Sequence, residues 1–154
     1  MSIKKEIYRI IDANFNRSRE GLRVCEDISR FIMNDSALTK ELKGIRHRIS
    51  GILQSSPKIK KTLIRSRNAA DDVGRAPSPR IELSRRGLDD IFTANIERVK
   101  ESIRVLEEFF KFIDSKDAVK LSRLRFKTYS IEKKALAKLD SFNHTRRPGR
   151  DTPR

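Results

Sequence analysis

Residues 10–32 read IIDANFNRSREGLRVCEDISRFI, and residues 91–113 read IFTANIERVKESIRVLEEFFKFI. The two stretches align without a gap at an offset of 81, with ten identities in 23 positions. Those identities join Asn14 to Asn95, Arg17 to Arg98, Glu20 to Glu101, Arg23 to Arg104 and Glu26 to Glu107. The segments that follow also correspond once two residues are dropped, which sets Leu42, Ile45 and Arg46 on Leu121, Leu124 and Arg125. A repeat of this length is one supersecondary unit used twice. It predicts an all-α fold of two tandem helical hairpins from an internal duplication, forming one bundle.

Each long segment carries two adjacent seams. The first runs Ile7, Ile11, Phe15, Ser18, Leu22, Cys25, Ser29, Ile32, matched by Leu88, Phe92, Ile96, Val99, Ile103, Leu106, Phe110, Ile113. Its alternating steps of four and three keep one helical face against a partner, so it is core, with Cys25 as a small buried hydrophobe. The second seam runs Ile10, Asn14, Arg17, Gly21, Val24, Ile28, Phe31, matched by Ile91, Asn95, Arg98, Ser102, Val105, Phe109, Phe112. It is apolar at both ends and polar in the middle in both copies. An arginine packed in such a seam needs a carboxylate or an anion, because an unpaired buried charge costs several kcal/mol.

Two readings follow. In one, Arg17, Glu20, Arg23 and Glu26 form a structural ion-pair ladder, repeated in the second copy. In the other, the two Asn-Arg pairs face each other and line a phosphate-binding cavity, with Gly21 and Ser102 leaving room for a close helix contact or a ligand. Guanidinium forks and amide groups suit phosphate oxygens. We place phosphate contacts on Arg17 and Arg98, beside Asn14 and Asn95, with Arg46 and Arg125 as further substrate contacts. Glu20 and Glu101 then orient the arginines or a metal.

The helical pattern covers residues 2–33, closes at Asn34-Asp35-Ser36, and returns at Ala37–Gln54 and Lys58–Arg65. Residues 66–87 hold Asn68, Gly74, Pro77, Pro79 and Gly87 and read as a long ordered loop between the halves. Loops of that length are commonly functional. Within it, Arg67, Asp72 and Gly74 form a second cluster able to hold a magnesium-bound phosphate through Asp72, or else a plain Asp-Gly turn. Helix resumes over Leu88–Ile113 and Lys116–Leu139, and residues 141–154 read as a disordered basic tail beyond a single domain spanning 1–140.

Composition bounds the rest. The 154 residues suit one domain, and one cysteine makes no internal disulfide. No apolar run nears the ~18 residues of a membrane span, and the N-terminus lacks a signal-peptide core, which reads as cytoplasmic. The net charge of +15 favours anionic partners; the tail from Asp140 adds only four Arg against two Asp, so the excess lies in the folded part. His47 and His144 stand apart from any zinc-ligand spacing, and no Walker, kinase or Rossmann glycine loop is present.

The run from Asp12 to Asp27, then Arg67 with Asp72-Val73-Gly74, Ala94-Asn95, Arg98, Arg104 to Glu108, and Arg125 with Tyr129 and Glu132, resembles a known family. It is similar to the small monofunctional hydroxymethylpyrimidine phosphate kinase of thiamin biosynthesis, found alone or fused ahead of thiamin phosphate synthase. The resemblance covers residues 7–136 and implies phosphorylation of hydroxymethylpyrimidine phosphate to the diphosphate, with ATP and Mg²⁺ as cofactors. Arg67, Asp72 and Gly74 would then close over the nucleotide. Asn68 departs from the family's usual Asp, and residues 75–80 are also atypical. The alternatives are a non-catalytic partner or remnant of a thiamin phosphate synthase, and a basic nucleic-acid-binding module. The last is disfavoured because the repeat keeps Glu20 and Glu26 as faithfully as its arginines. A homodimer is left open.

Overall fold

The computed structural model describes residues 3–74 and 84–145, and every regular element among them is helical. Helix α1 spans Ile3–Asp27 and runs into a π-helical turn, Ile28–Ile32. Helices α2 (Ser36–Gln54), α3 (Pro57–Ser66), α4 (Leu88–Phe110) and α5 (Ser115–Thr145) follow. All-α architecture is thus as the seams predict.

Punctuation explains the boundaries. Asn34 takes φ 53°, the left-handed conformation that asparagine tolerates and that halts a helix. Asp35 then caps α2, its side chain accepting from the Leu38 N–H at 2.9 Å. Pro57 occupies the first turn of α3, where its missing N–H costs no hydrogen bond. Asp114 Oδ1 accepts from the Lys116 N–H at 2.8 Å and opens α5.

Three details differ from expectation. The end of the first segment is a π turn, with Met33 N–H donating to Ile28 C=O at 3.0 Å, because five residues of apolar spacing do not separate 3.6 from a wider period. Helix α4 stops at Phe110 rather than Ile113. Helix α5 continues to Thr145, so residues 141–145 are helical where a disordered tail was expected. Residues 146–154 and the atypical stretch 75–80 lie outside the described residues.

The first seams are the core. Ile11, Phe15, Leu22, Cys25, Phe92, Ile96, Val99, Ile103, Leu106 and Phe110 are each at most 1% exposed. Helices α1 and α4 lie antiparallel: the Phe15 and Phe110 rings meet edge to face at 5.8 Å, and Cys25 Sγ approaches the Phe92 carbonyl at 3.7 Å. Between these contacts Gly21 presses on α4. A Cβ there would sit 2.8 Å from both the Asn95 carbonyl oxygen and Val99 Cγ2. The close helix contact is the reason for glycine. Helices α2 and α3 pack on α1, α5 packs on α4, and α2 also touches α5.

Candidate functional site

Beside α1 opens a cleft of about 750 Å³, walled by the outer side of α1, the loop after α3, and Val105 of α4. Its loop wall is tied down by arginines. Arg67 grips the buried Asp12 with a two-pronged contact, Nε to Oδ2 at 2.5 Å and the second nitrogen to Oδ1 at 2.8 Å. That hydrogen bonding raises the Arg67 pKa above its ordinary value. Arg9 bonds Glu6 at 2.9 Å and reaches the Asn68 carbonyl at 3.3 Å.

Deeper in the cleft, the buried Asn14 donates to the Ile10 carbonyl at 2.8 Å. This fixes the amide and turns its oxygen toward Arg17, which donates to it at 3.4 Å. Of the three guanidiniums bordering the cleft, Arg9 and Arg67 have carboxylate partners, and Arg17 has none among the described residues. Arg17 is the cation with charge left to offer an anion. Glu6 Oε1, on the same wall, is buried with no hydrogen-bond partner.

The other expected residues are placed as follows. Asn95 repeats the Asn14 bond, donating to Ile91 C=O at 2.8 Å, but neither Asn95 nor Arg98 borders the cleft. Arg17 and Arg98 are exposed rather than packed in a seam, and so are Glu20 and Glu101. None of these four forms an ion pair among the described residues, so the rung from Arg17 to Glu20 is missing from the ladder. Arg23 to Glu26 does form, at 3.5 Å.

Arg46 and Arg125 are engaged inside the protein. Arg46 Nε donates to Glu26 Oε2 at 2.8 Å, and Arg125 Nε to Glu107 Oε2 at 2.9 Å, at matching places in the two halves. Burial pushes Glu26 upward, yet the Arg46 hydrogen bond and the charges of Arg46, Arg23 and Lys43 hold it below the usual carboxylate range. These arginines clamp α1 to α2 and α4 to α5.

Asp72 borders the cleft, but its Oδ1 accepts from the Gly74 N–H at 2.9 Å, closing an Asx turn. No group of three His, Cys, Asp or Glu side chains placed to hold a metal occurs among the described residues. Magnesium ordinarily takes one or two carboxylates and completes its shell with phosphate and water, and Asp72 was the carboxylate expected for it.

Asp12, Arg9 and Glu6 were not singled out from the sequence. Asp12 carried a signal, since it sits beside Ile11 at the edge of the buried face and needs a cation there. A second cluster joins Tyr129 and Glu132, which belong to the resemblance, to Lys100 and Glu97, which were not singled out. Lys100, 9% exposed, donates to Glu97 at 2.5 Å and to both oxygens of Glu132 at 2.9 and 2.7 Å, with the Tyr129 ring centre 5.0 Å away.

The chain is thus all-helical among the described residues, with a cleft lined by guanidinium, amide and carboxylate groups. Residues 9–134 match the ThiD2 family, and the chain belongs to it. Thiamine-phosphate synthase of Rhodopirellula baltica is 34% identical over 139 residues, covering 90% of this chain and 36% of that protein. That of Thermosynechococcus vestitus is 36% identical over 128 residues, covering 83% of this chain and 35% of that protein. The chain thus spans about a third of the length of the curated relatives it matches. No solved structure matches it.

The resemblance read from the sequence holds at the level of a thiamin-biosynthesis family. The expected kinase activity is corrected. Relatives similar over most of this chain bear the name thiamine-phosphate synthase and not that of a kinase, which favours the alternative tied to a thiamin phosphate synthase. Among the described residues, no helix is long and apolar enough to cross a membrane.

Proposed function

We propose that this chain works in thiamin biosynthesis as the helical module that accompanies a thiamin phosphate synthase, holding a phosphorylated small molecule in the α1 cleft. The observation that carries the proposal is the asymmetry of the matches. Nearly all of this chain aligns with only about 36% of the Rhodopirellula relative, as a module aligns with a larger protein. The cleft chemistry supports the ligand class. Arg17 supplies an unpaired guanidinium, Asn14 and Asn16 supply amides, and Glu6 Oε1 is an acceptor suited to a ring amine.

The test has two arms. Thiamin phosphate and aminopyrimidine phosphate are titrated by calorimetry into the chain and into its Arg17→Ala variant. Magnesium-ATP, expected from the sequence, is a second probe of the same phosphate chemistry. Separately, thiamin phosphate formation by a synthase lacking this module is measured with and without the chain. Saturable binding that weakens tenfold or more in Arg17→Ala, with a faster or tighter-binding synthase, is the expected result. No binding of any phosphorylated probe and no effect on the synthase would overturn the proposal.

A further inference from the structure

We propose that the groove between α2 and α5 is a second binding site, for a soluble organic phosphate, independent of the α1 cleft and of the function proposed above. The groove encloses about 300 Å³, and its lining shares no residue with the cleft. That volume is at the lower end of small-ligand sites, which run from about 300 Å³ upward. Its apolar base is Ile52 and Leu124, and its rim is Arg48, Lys120 and Arg123, with no carboxylate in the lining. Lys120 is paired with Asp117 at 2.7 Å. Arg48 and Arg123 have no ion pair or side-chain hydrogen bond among the described residues. Cations gathered around a concave surface repel one another unless an anion lies between them.

Two further observations point the same way. Gly51 lies inside α2 on the groove wall, and nothing stands within 4 Å of where its Cβ would be. Unlike Gly21, it is not required by packing within the chain, and it leaves room above the apolar base. The repeat supplies the second observation. At the offset of 79 that joins Arg46 to Arg125, Lys120 corresponds to Glu41, Arg123 to Gly44, and Ser55 to Lys134. At those matching positions Lys134 donates to both oxygens of Glu41, at 3.1 and 3.2 Å. One half therefore carries its own carboxylate where the other has a lysine and an added arginine. A phosphate between Arg48 and Arg123 supplies the missing negative charge, and an aromatic or alkyl body covers Ile52 and Leu124.

Phenyl phosphate is the probe, titrated into the full chain while the arginine Nε–H resonances and the heat of binding are followed. Two sites are expected, one lost in Arg17→Ala and the other weakened tenfold or more in Arg48→Ala and Arg123→Ala. Gly51→Leu fills the groove and abolishes the second site with helicity unchanged, since its Cβ meets open space. Benzyl alcohol, which lacks the phosphate, leaves these resonances unmoved. Unaltered binding in both Arg123→Ala and Gly51→Leu would overturn the proposal, as would loss of all binding in Arg17→Ala alone. Binding to phosphatidic acid vesicles but not to phenyl phosphate would overturn the assignment to a soluble ligand.

Discussion

Arg46 bonds Glu26 across the α1–α2 hairpin through two nitrogens, Nε at 2.8 Å and the terminal nitrogen at 3.3 Å, with both side chains largely buried. Truncating one member of such a pair strands the other charge away from water, at roughly 3–5 kcal/mol. Arg46→Ala should therefore lower the unfolding free energy by about 3 kcal/mol in urea titrations, and Arg125→Ala should do likewise through Glu107. Losses below about 1 kcal/mol would mean that the clamps are spectators.

The same pair sets an acid dependence. Glu26 is held below its unfolded value, so its contribution is fully present above an unfolded carboxyl pKa of about 4.3 and disappears as pH falls through the folded value. The stability gap between wild type and Glu26→Gln should be constant near neutrality and narrow below about pH 4.3. Parallel profiles down to acid unfolding would contradict the linkage.

Two helix glycines should respond in opposite directions. Gly21→Ala drives a methyl into the Asn95 carbonyl and Val99 at 2.8 Å and should cost about 1–3 kcal/mol as the helices are forced apart. Gly51→Ala meets nothing within 4 Å and should stabilise by about 0.5–1 kcal/mol through helix propensity. Thermal melts of the two variants compare them directly, and equal shifts would refute the packing account.

Cys25 is fully buried, and burial, with a smaller push from the Glu132 charge, raises its thiol to about 12. It should resist thiol reagents at neutral pH and react only as the chain unfolds. Fast labelling of the native protein would show that the α1–α4 seam opens locally.

The Arg67–Asp12 contact holds the loop wall of the cleft. Asp12→Asn should loosen it, seen as faster amide exchange at residues 67–72 with the core unchanged and as weaker binding of a phosphorylated probe. If exchange in the loop stays as slow as in wild type, another contact anchors it.

Much of the fold was legible because it depends on local periodicity. The steps of four and three that bury Ile11, Phe15 and Leu22 follow from 3.6 residues per turn, and Asn34, Asp35 and Pro57 mark helix ends by their own backbone chemistry. The repeat placed Glu26 and Glu107, and Arg46 and Arg125, in corresponding positions before any contact was known. Asn14 was singled out and does border the cleft, with Arg17 and Asp72 beside it.

Pairing was what the sequence by itself left open. Glu20 lies one turn from Arg17, yet the two do not pair, while Glu26 takes its partner from 20 residues away and Asp12 from 55. Spacing along a helix decides which side chains share a face, and the linear chain determined that much. Which cation meets which carboxylate depends on how α1, α2, α3 and α4 stack, because burial forces Asp12 and Glu26 to be neutralised and leaves exposed Arg17 to water. The tertiary structure alone decided which arginines hold the bundle together and which have no ion pair among the described residues.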